Sequence, residues 1–235
     1  MRHARLERWS RLNSPIHRHH PTAKILAALA LLISIATLTK PAILPPVAYL
    51  MLLVTSVVIA RLPVPSLLAG AAAVLPFALC FAIVSALAGQ PARAVMLLVR
   101  GYLSSLTALL LIATTSMPDV LIGLESLRAP RFLLQVMQFL YRYLIVLVEE
   151  AASMRDAGAS RAASIRALEF RKAAGVASVL FARAYNRAQA IHLAMIARGF
   201  DGHIPRFLAK RFRPADAVFV IAAIALAVGI RTVLG

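Results

Sequence analysis

Long apolar runs dominate the first half of the chain and return at its C-terminal end, with short proline- or glycine-containing stretches between them. A helix needs about 20 mostly apolar residues to cross the hydrocarbon core of a bilayer, and these runs approach that length. Because the intervening turns are short, we expect sequential helices to be antiparallel neighbours. The pattern predicts membrane helices at about residues 25–39, 43–60, 67–88, 94–116 and 215–234.

The segment 117–214 has a different pattern, in which polar and apolar positions recur with helical spacing. Its first part predicts a short amphipathic helix, 119–126, which Asp119 caps and which the following RAPRF ends. Two long helices are predicted after it, at about 132–161 and 167–198.

The apolar run 132–148 in the first long helix could also be a sixth membrane span. However, Gln135 and Arg142 lie within it, and the acidic pair Glu149–Glu150 follows at once. A charged side chain at the bilayer centre costs at least about 2.5 kcal/mol. We therefore interpret 132–148 as a helix that is half-buried in the inner membrane surface and continues into the cytoplasm.

The composition indicates an integral membrane protein. The mean hydropathy is +0.81 and only 15% of the residues are charged, which is too apolar for a soluble domain of 235 residues. The formal net charge is nevertheless +17. Most of this charge must lie outside the hydrocarbon, so its position along the chain sets the topology.

Most of the basic residues fall in two regions, the N-terminus and the segment 117–214, which holds 15 of the 26 lysines and arginines. The positive-inside rule places both regions in the cytoplasm and Gly235 outside. We predict a basic cytoplasmic N-terminus, a four-helix transmembrane region, a cytoplasmic or interfacial domain and a C-terminal transmembrane helix, at 1–24, 25–116, 117–214 and 215–235. This describes a multi-pass protein of the cell membrane, whose first apolar run stays as an anchor.

Few residues could carry catalysis or hold a metal. Cys80 is the one cysteine, so neither an intrachain disulfide nor a thiolate cluster can form. The chain has no G-x-x-x-x-G-K-[ST] loop for ATP phosphates. Glu149 and Glu150 are adjacent on a helix and point about 100° apart, so we expect them to pair with nearby arginines. We predict no catalytic residue, no metal site and no cofactor.

Two polar features allow alternative interpretations. The HRHH cluster contains His17, His19 and His20, and imidazoles suit nickel and cobalt. Because the spacing gives no i,i+4 pair of histidines and no carboxylate or cysteine is near in sequence, we interpret the cluster as a solvated interfacial segment, with metal binding as the alternative. Arg100 lies inside an apolar run, where it either serves a transport pathway or snorkels or bonds to another helix.

The second long helix is basic and rich in small residues. From Arg171 to Arg198 it has five basic residues and no acid, so it lacks the acid–base pairs usual on a solvent-exposed helix. Small residues permit close helix packing. These features favour either docking to an acidic partner or contact with anionic lipid.

Both long helices are predicted to end at an arginine. Gly199 fits the C′ position, where glycine is favoured, which places Arg198 in the last turn of the second helix. Arg161, in GASRAAS, ends the first long helix in a similar setting. Because a guanidinium can hold a carboxylate with two parallel hydrogen bonds, we interpret the two arginines as a coupling device.

Four segments together resemble one family: SPIHRHHPTAK, TTSMPDVLIGLESLRAPRFL, YRYLIVLVEEAASMR and AMIARGFDG. They are similar to the transmembrane T component of energy-coupling factor (ECF) importers of the cobalt/nickel type, called CbiQ or NikQ, and the resemblance covers almost the whole chain. It implies an all-α membrane protein with about five transmembrane helices and a cytoplasmic domain of two long crossing coupling helices and a short amphipathic helix. It also implies two ABC-type ATPase subunits and a substrate-binding membrane subunit as partners, and a small accessory membrane subunit as a further one.

The resemblance assigns a role to the helix ends. The family has two Ala-Arg-Gly signatures, whose arginines would meet carboxylates in grooves of the ATPases. In this sequence the signatures fall on Ala197, Arg198 and Gly199, and on Ser160, Arg161 and Ala162. Ala162 stands where the family has glycine, so Gly158 just upstream is a candidate for breaking that helix instead.

The predicted function is therefore energy coupling: the chain transmits ATP-driven closure of two ABC ATPases to a substrate-binding membrane subunit, for cobalt or nickel uptake. Within the family, the alternative substrate is biotin or another vitamin. A different class, a basic membrane-surface protein that binds anionic lipid or nucleic acid, would also explain the charge. Because the cytoplasmic region has few aromatic residues for base stacking, we predict no nucleic-acid partner.

Overall fold

The computed structural model describes residues 19–38, 44–161, 169–202 and 213–234, and within these ranges every regular element is a helix. The predicted all-α fold is confirmed. In chain order the helices are α1 (Pro21–Ala36), α2 (Leu44–Ile59), α3 (Val64–Ala71), α4 (Leu75–Leu87), α5 (Pro91–Thr114), α6 (Met117–Ser126), α7 (Arg131–Arg161), α8 (Glu169–Ala197) and α9 (Pro214–Leu234). They form two compact units, one of Met1–Ala129 with Ala209–Gly235 and the other of Pro130–Leu208.

Several helices are long and apolar enough to cross a membrane. In the described ranges these are Val64–Leu87, Pro91–Thr114, Arg131–Gly158 and Pro214–Thr232. α1 and α2 are also apolar but have only 16 residues each. Since α7 qualifies by length and composition, its interfacial placement stays a prediction.

The span Val64–Leu87 is interrupted by a 3₁₀ turn, Ala72–Val74. Pro76 follows this turn, and proline has no N–H to donate to the carbonyl oxygen four residues earlier, which is that of Ala72. The N–H of Leu75 donates to this oxygen instead. The carbonyl is thus satisfied inside the membrane although the α-helical ladder is broken.

The core of the first unit lies along α5. Leu103 and Leu106 share a buried cluster with Tyr49 and Leu53 of α2. The Tyr49 hydroxyl donates a hydrogen bond of 2.7 Å to the carbonyl oxygen of Ala227, which joins α2 to α9. Because burying an unpaired hydroxyl is costly, this bond lets a polar group sit at the centre of an apolar core.

α6 packs against the start of α1, and its own start differs from the prediction. A Cβ added at Gly123 would lie 2.6 Å from Ile25 Cδ1, so only glycine fits this contact without a shift. The N-cap of α6 is Ser116, whose hydroxyl accepts from the Asp119 N–H and donates to the Asp119 carboxylate at 2.8 Å. The expectation that Asp119 caps this helix was wrong: Asp119 lies three residues beyond the cap, where its carboxylate accepts from the Ser116 hydroxyl.

Candidate functional site

The C-terminal end of α8 has the backbone geometry that its sequence predicts. Gly199 has a φ of +78°, the left-handed conformation that glycine adopts most readily. Its N–H donates to the carbonyl oxygen of Ile196 at 2.9 Å, and the Phe200 N–H donates to that of Met195 at 3.0 Å. These two bonds form a Schellman motif, which confirms that Gly199 ends the helix.

Arg198 lies between Ala197, the last helical residue, and Gly199. It is therefore the C-cap residue of α8. The sequence prediction placed it in the last turn of the helix, one position earlier. Its side chain is exposed, and its guanidinium makes neither a hydrogen bond nor an ion pair with the described part of the chain. A positive group at this position is favoured by the helix dipole and is open to a carboxylate from another molecule.

The other predicted signature has a different setting. α7 stays helical through Gly158 and Ser160 to Arg161, so the idea that Gly158 breaks the helix was wrong. The Ser160 hydroxyl donates to the Asp156 carbonyl oxygen at 3.0 Å, a bond within the helix. Ala162 lies outside the described residues. The role of Ser160, Arg161 and Ala162 in coupling therefore stays a prediction.

Glu150 joins α7 to α8 in the second unit. Its carboxylate lies 3.0 Å from Nη1 of Arg183 and 3.7 Å from Nη2 of Arg187. The expected pairing with arginines is confirmed for Glu150, whereas Glu149 is exposed. Because the arginines are 60% and 44% exposed, each pair stabilises the contact by no more than about 1 kcal/mol. The pairs mainly determine which turns of the two helices face each other.

An apolar groove of about 370 Å³ lies beside these ion pairs, between α7 and α8. Phe139 and Tyr143 of α7 line one wall, and Ile191 and Met195 of α8 line the other. Phe200 also lines the groove, because the Schellman turn reverses the chain beyond Arg198. The groove and the exposed arginine therefore depend on the same turn.

α8 also exposes a long apolar face. The exposed fraction is 73% for Phe181 and 63% for Leu193. Val179, Tyr185 and Ile196 are exposed as well. Large exposed apolar patches mark surfaces that contact another protein or a membrane. The described chain thus leaves this face of α8 without a partner in its own unit.

The histidines that precede α1 take part in a buried polar cluster. Asp216, in the first turn of α9, is only 4% exposed. It accepts 2.9 Å hydrogen bonds from the main-chain N–H groups of His20 and Arg213, and its Oδ1 lies 2.9 Å from Nδ1 of His19. The His19 ring stacks on Phe219 with centroids 4.6 Å apart. The expectation of a solvated segment was therefore wrong for His19 and His20.

His20 is buried and caps α1, where its ring accepts a hydrogen bond from the Thr22 N–H. His17 lies outside the described residues. Among the residues described, no group of three or more His, Cys, Asp or Glu side chains could hold a metal ion. Asp216 was missed by sequence reasoning, and the one available signal was an isolated acid at the start of the last apolar helix.

Two cations lie among the helices of the first unit. Lys24 was predicted to belong to the cytoplasmic N-terminus, but it lies in α1 and is 6% exposed. Its Nζ donates to the carbonyl oxygen of Thr114 at 2.9 Å, which satisfies a carbonyl at the C-terminal end of α5. Arg100 lies within α5, and its buried Nε has no hydrogen-bond partner.

Comparison with known proteins relates this chain to metal transport. Residues 12–207 match the CbiQ family, described as cobalt transport protein. The chain is 33% identical over 132 residues to the cobalt transport protein CbiQ of Rhodobacter capsulatus, a match that covers 56% of this chain and 53% of that protein. It is 32% identical over 111 residues to the uncharacterized protein MJ1089 of Methanocaldococcus jannaschii, covering 46% of this chain and 41% of that protein.

The chain thus spans about half the length of the curated relatives that it matches, whereas the family match extends over most of the chain. Its helices include several that are apolar and long enough to cross a bilayer. This multi-pass membrane protein belongs to the CbiQ family of cobalt transport proteins.

Proposed function

We propose that this chain is the energy-coupling transmembrane (T) subunit of an ECF importer that takes up cobalt, with nickel as the alternative ion. It transmits the ATP-driven closure of two ABC ATPases to a separate substrate-binding membrane subunit. The family membership and the cobalt transport relative support this role. The chain has no catalytic site of its own in this scheme, because the partner ATPases hydrolyse ATP.

The observation on which the proposal rests is the end of α8. Gly199 fixes the turn that presents the Arg198 guanidinium, and this group has no counter-charge in the described chain. A carboxylate in a groove of the ATPase would pair with it through two parallel hydrogen bonds. The small side chain of Ala197 leaves room for close approach. Ala197, Arg198 and Gly199 are therefore the proposed main coupling site, with Ser160, Arg161 and Ala162 as the second.

The exposed face of α8 supports the same role. It combines apolar side chains such as Phe181 and Leu193 with basic ones, and it has no acid between Arg171 and Arg198. An ATPase surface with an apolar groove and acidic rims would complement it in both shape and charge. In this scheme the domain 117–214 and the segment 1–24 face the cytoplasm, and 25–116 and 215–235 lie in the cell membrane.

The test is purification of the tagged chain from its native membrane in a mild detergent, with mass spectrometry of the copurifying proteins. We expect ABC-type ATPases and a membrane subunit, and an ATPase activity that responds to cobalt or nickel. A response to biotin or another vitamin instead would keep the coupling role and replace the substrate. A chain that brings only anionic lipid or nucleic acid would contradict the proposed function.

A further inference from the structure

Arg100 lies deep in the membrane region. α5 runs from Pro91 to Thr114, and Arg100 is the ninth residue after Pro91. At a rise of about 1.5 Å per residue, it lies about 14 Å from the start of the helix. The hydrocarbon core of a bilayer is about 30 Å thick. The side chain therefore starts near the middle of the membrane.

The described part of the chain supplies no counter-charge for Arg100. Its Nε is buried without a hydrogen-bond partner. Asp216 already accepts bonds from His19, His20 and Arg213, and Asp119 belongs to the cap of α6, beyond the opposite end of α5. A guanidinium stays charged at all physiological pH values. Its compensation must therefore come from outside the described chain.

One side of Arg100 is open to an approaching helix. Met96, Leu103 and Thr107, which flank it on one side of α5, are buried in the first unit. On the other side, Leu97 is 40% exposed and Ser104 is half-buried, with no hydrogen bond from its hydroxyl in the described structure. Residues three and four positions apart lie on the same helical face. Arg100 and Ser104 thus form a polar spot on this side of α5, next to the exposed Leu97.

We propose that Arg100 forms an ion pair with a carboxylate on a transmembrane helix of the substrate-binding subunit. The planar guanidinium matches a carboxylate with two hydrogen bonds, and the Ser104 hydroxyl adds a third donor on the same face. This inference rests on the proposed function, which supplies that subunit.

Two other sources of negative charge fit less well. A second copy of this chain would bring another arginine to the same depth, and its own α5 contains no acid. Lipid phosphate lies at the bilayer surface, about 14 Å from the backbone of Arg100 along α5. A guanidinium on a three-carbon stem cannot cover that distance. A carboxylate from a partner helix can approach at the depth of Arg100 itself.

The test compares the copurification of partners with three variants of the tagged chain. Arg100→Leu removes the charge and Arg100→Lys keeps it without the planar fork. Arg93→Leu is the matched control, because Arg93 is an exposed arginine of the same helix that bonds to Gln90 near its start. All complexes are extracted in a maltoside detergent without phosphate groups, and the ATPases and the membrane subunit are quantified separately.

We expect Arg100→Leu to lower recovery of the membrane subunit at least tenfold relative to wild type, while ATPase recovery stays unchanged, since an unpaired buried charge is left on the partner. With Arg100→Lys, the amount of membrane subunit that copurifies should lie between those of the wild type and Arg100→Leu. With Arg93→Leu it should equal that of the wild type. Undiminished recovery of the membrane subunit with Arg100→Leu would overturn the ion pair and leave the proposed function intact. Recovery of neither kind of partner by the wild-type chain would overturn both.

A further readout identifies the partner residue. A photo-crosslinking amino acid at position 97, one turn from Arg100, should attach to a transmembrane peptide of the membrane subunit that contains Asp or Glu. Attachment only to lipid, or to a peptide without an acid, would contradict the proposal.

Discussion

The carboxylate of Asp216 lies 2.9 Å from the main-chain nitrogen of His20 and so joins the first turn of α9 to the residue that caps α1. Asp216→Ala leaves the His20 and Arg213 N–H groups without their acceptor. Each unsatisfied buried group costs about 1–3 kcal/mol, so we expect the thermal unfolding midpoint of the purified protein to fall by several degrees. Asp156→Ala is the control, because this carboxylate is 73% exposed. Equal midpoints for the two variants would show that the cluster does not stabilise the fold.

Gly199→Ala should weaken the end of α8 through the backbone alone. A Cβ at Gly199 meets no atom within 4 Å, but the φ of +78° disfavours any L side chain by about 1–2 kcal/mol. We expect faster amide hydrogen exchange in residues 195–200 and lower coupling of ATP hydrolysis to transport. Gly175→Ala, at a helical glycine that also faces open space, should instead stabilise α8 by up to about 1 kcal/mol. If both variants exchange alike, the turn is not held by the conformation of Gly199.

Arg198→Ala should reduce substrate-dependent transport at least tenfold while membrane insertion stays intact, because a charge-assisted bidentate pair to the ATPase would be lost. Arg198→Lys should recover only part of the activity, since an ammonium group lacks the planar fork. Transport into proteoliposomes that contain the complete complex measures the effect. Arg155→Ala removes another exposed arginine, which lies in α7 and is 80% accessible, and it should have little effect.

Arg161→Ala should weaken transport less than Arg198→Ala, because its signature has alanine where the family has glycine. The same proteoliposome assay compares the two. Transport at the wild-type rate by both variants would refute the coupling role of the helix ends.

Reversing the charge at Glu150 should loosen the contact of α7 with α8. Glu150→Arg places like charges beside Arg183 and Arg187, and adding Arg183→Glu should restore most of the loss. The protection of α8 amides from hydrogen exchange reports the contact. Glu149→Arg changes an exposed neighbour and should leave protection unchanged. If the α8 amides of the double variant are protected no better than those of Glu150→Arg, the ion pair does not align the helices.

The helices could be predicted from the sequence because their signals are local. The predicted span 43–60 differs from α2 by one residue at each end, and the predicted span 215–234 differs from α9 by one residue at its start, since apolar runs and prolines mark them directly. The end of α8 was equally predictable, because the N–H groups of Gly199 and Phe200 donate to carbonyl oxygens no more than five residues earlier in the chain. The start of α1 was misplaced, because a helix with His20 as its cap and a buried Lys24 resembles a polar leader in sequence.

The contacts that could not be predicted join residues distant in the chain. Asp216 is 197 residues from His19, and only the packing of α9 beside α1 brings them together. The histidine cluster therefore looked solvated, although its acceptor was present elsewhere. Glu150 could be predicted to pair, but the choice of Arg183, 33 residues away, depends on how α7 and α8 pack. Such pairings follow from tertiary structure and leave no local pattern.

The 3₁₀ turn Ala72–Val74 ahead of Pro76 gives the span Val64–Leu87 a defined hinge. One hydrogen bond of the α-helical ladder is missing there, and the substitute bond closes a shorter ring. A bending force on this span is therefore concentrated at one turn. We therefore expect Leu75–Leu87 to tilt about this turn without displacing Val64–Ala71, the half of the span that also packs beside α2.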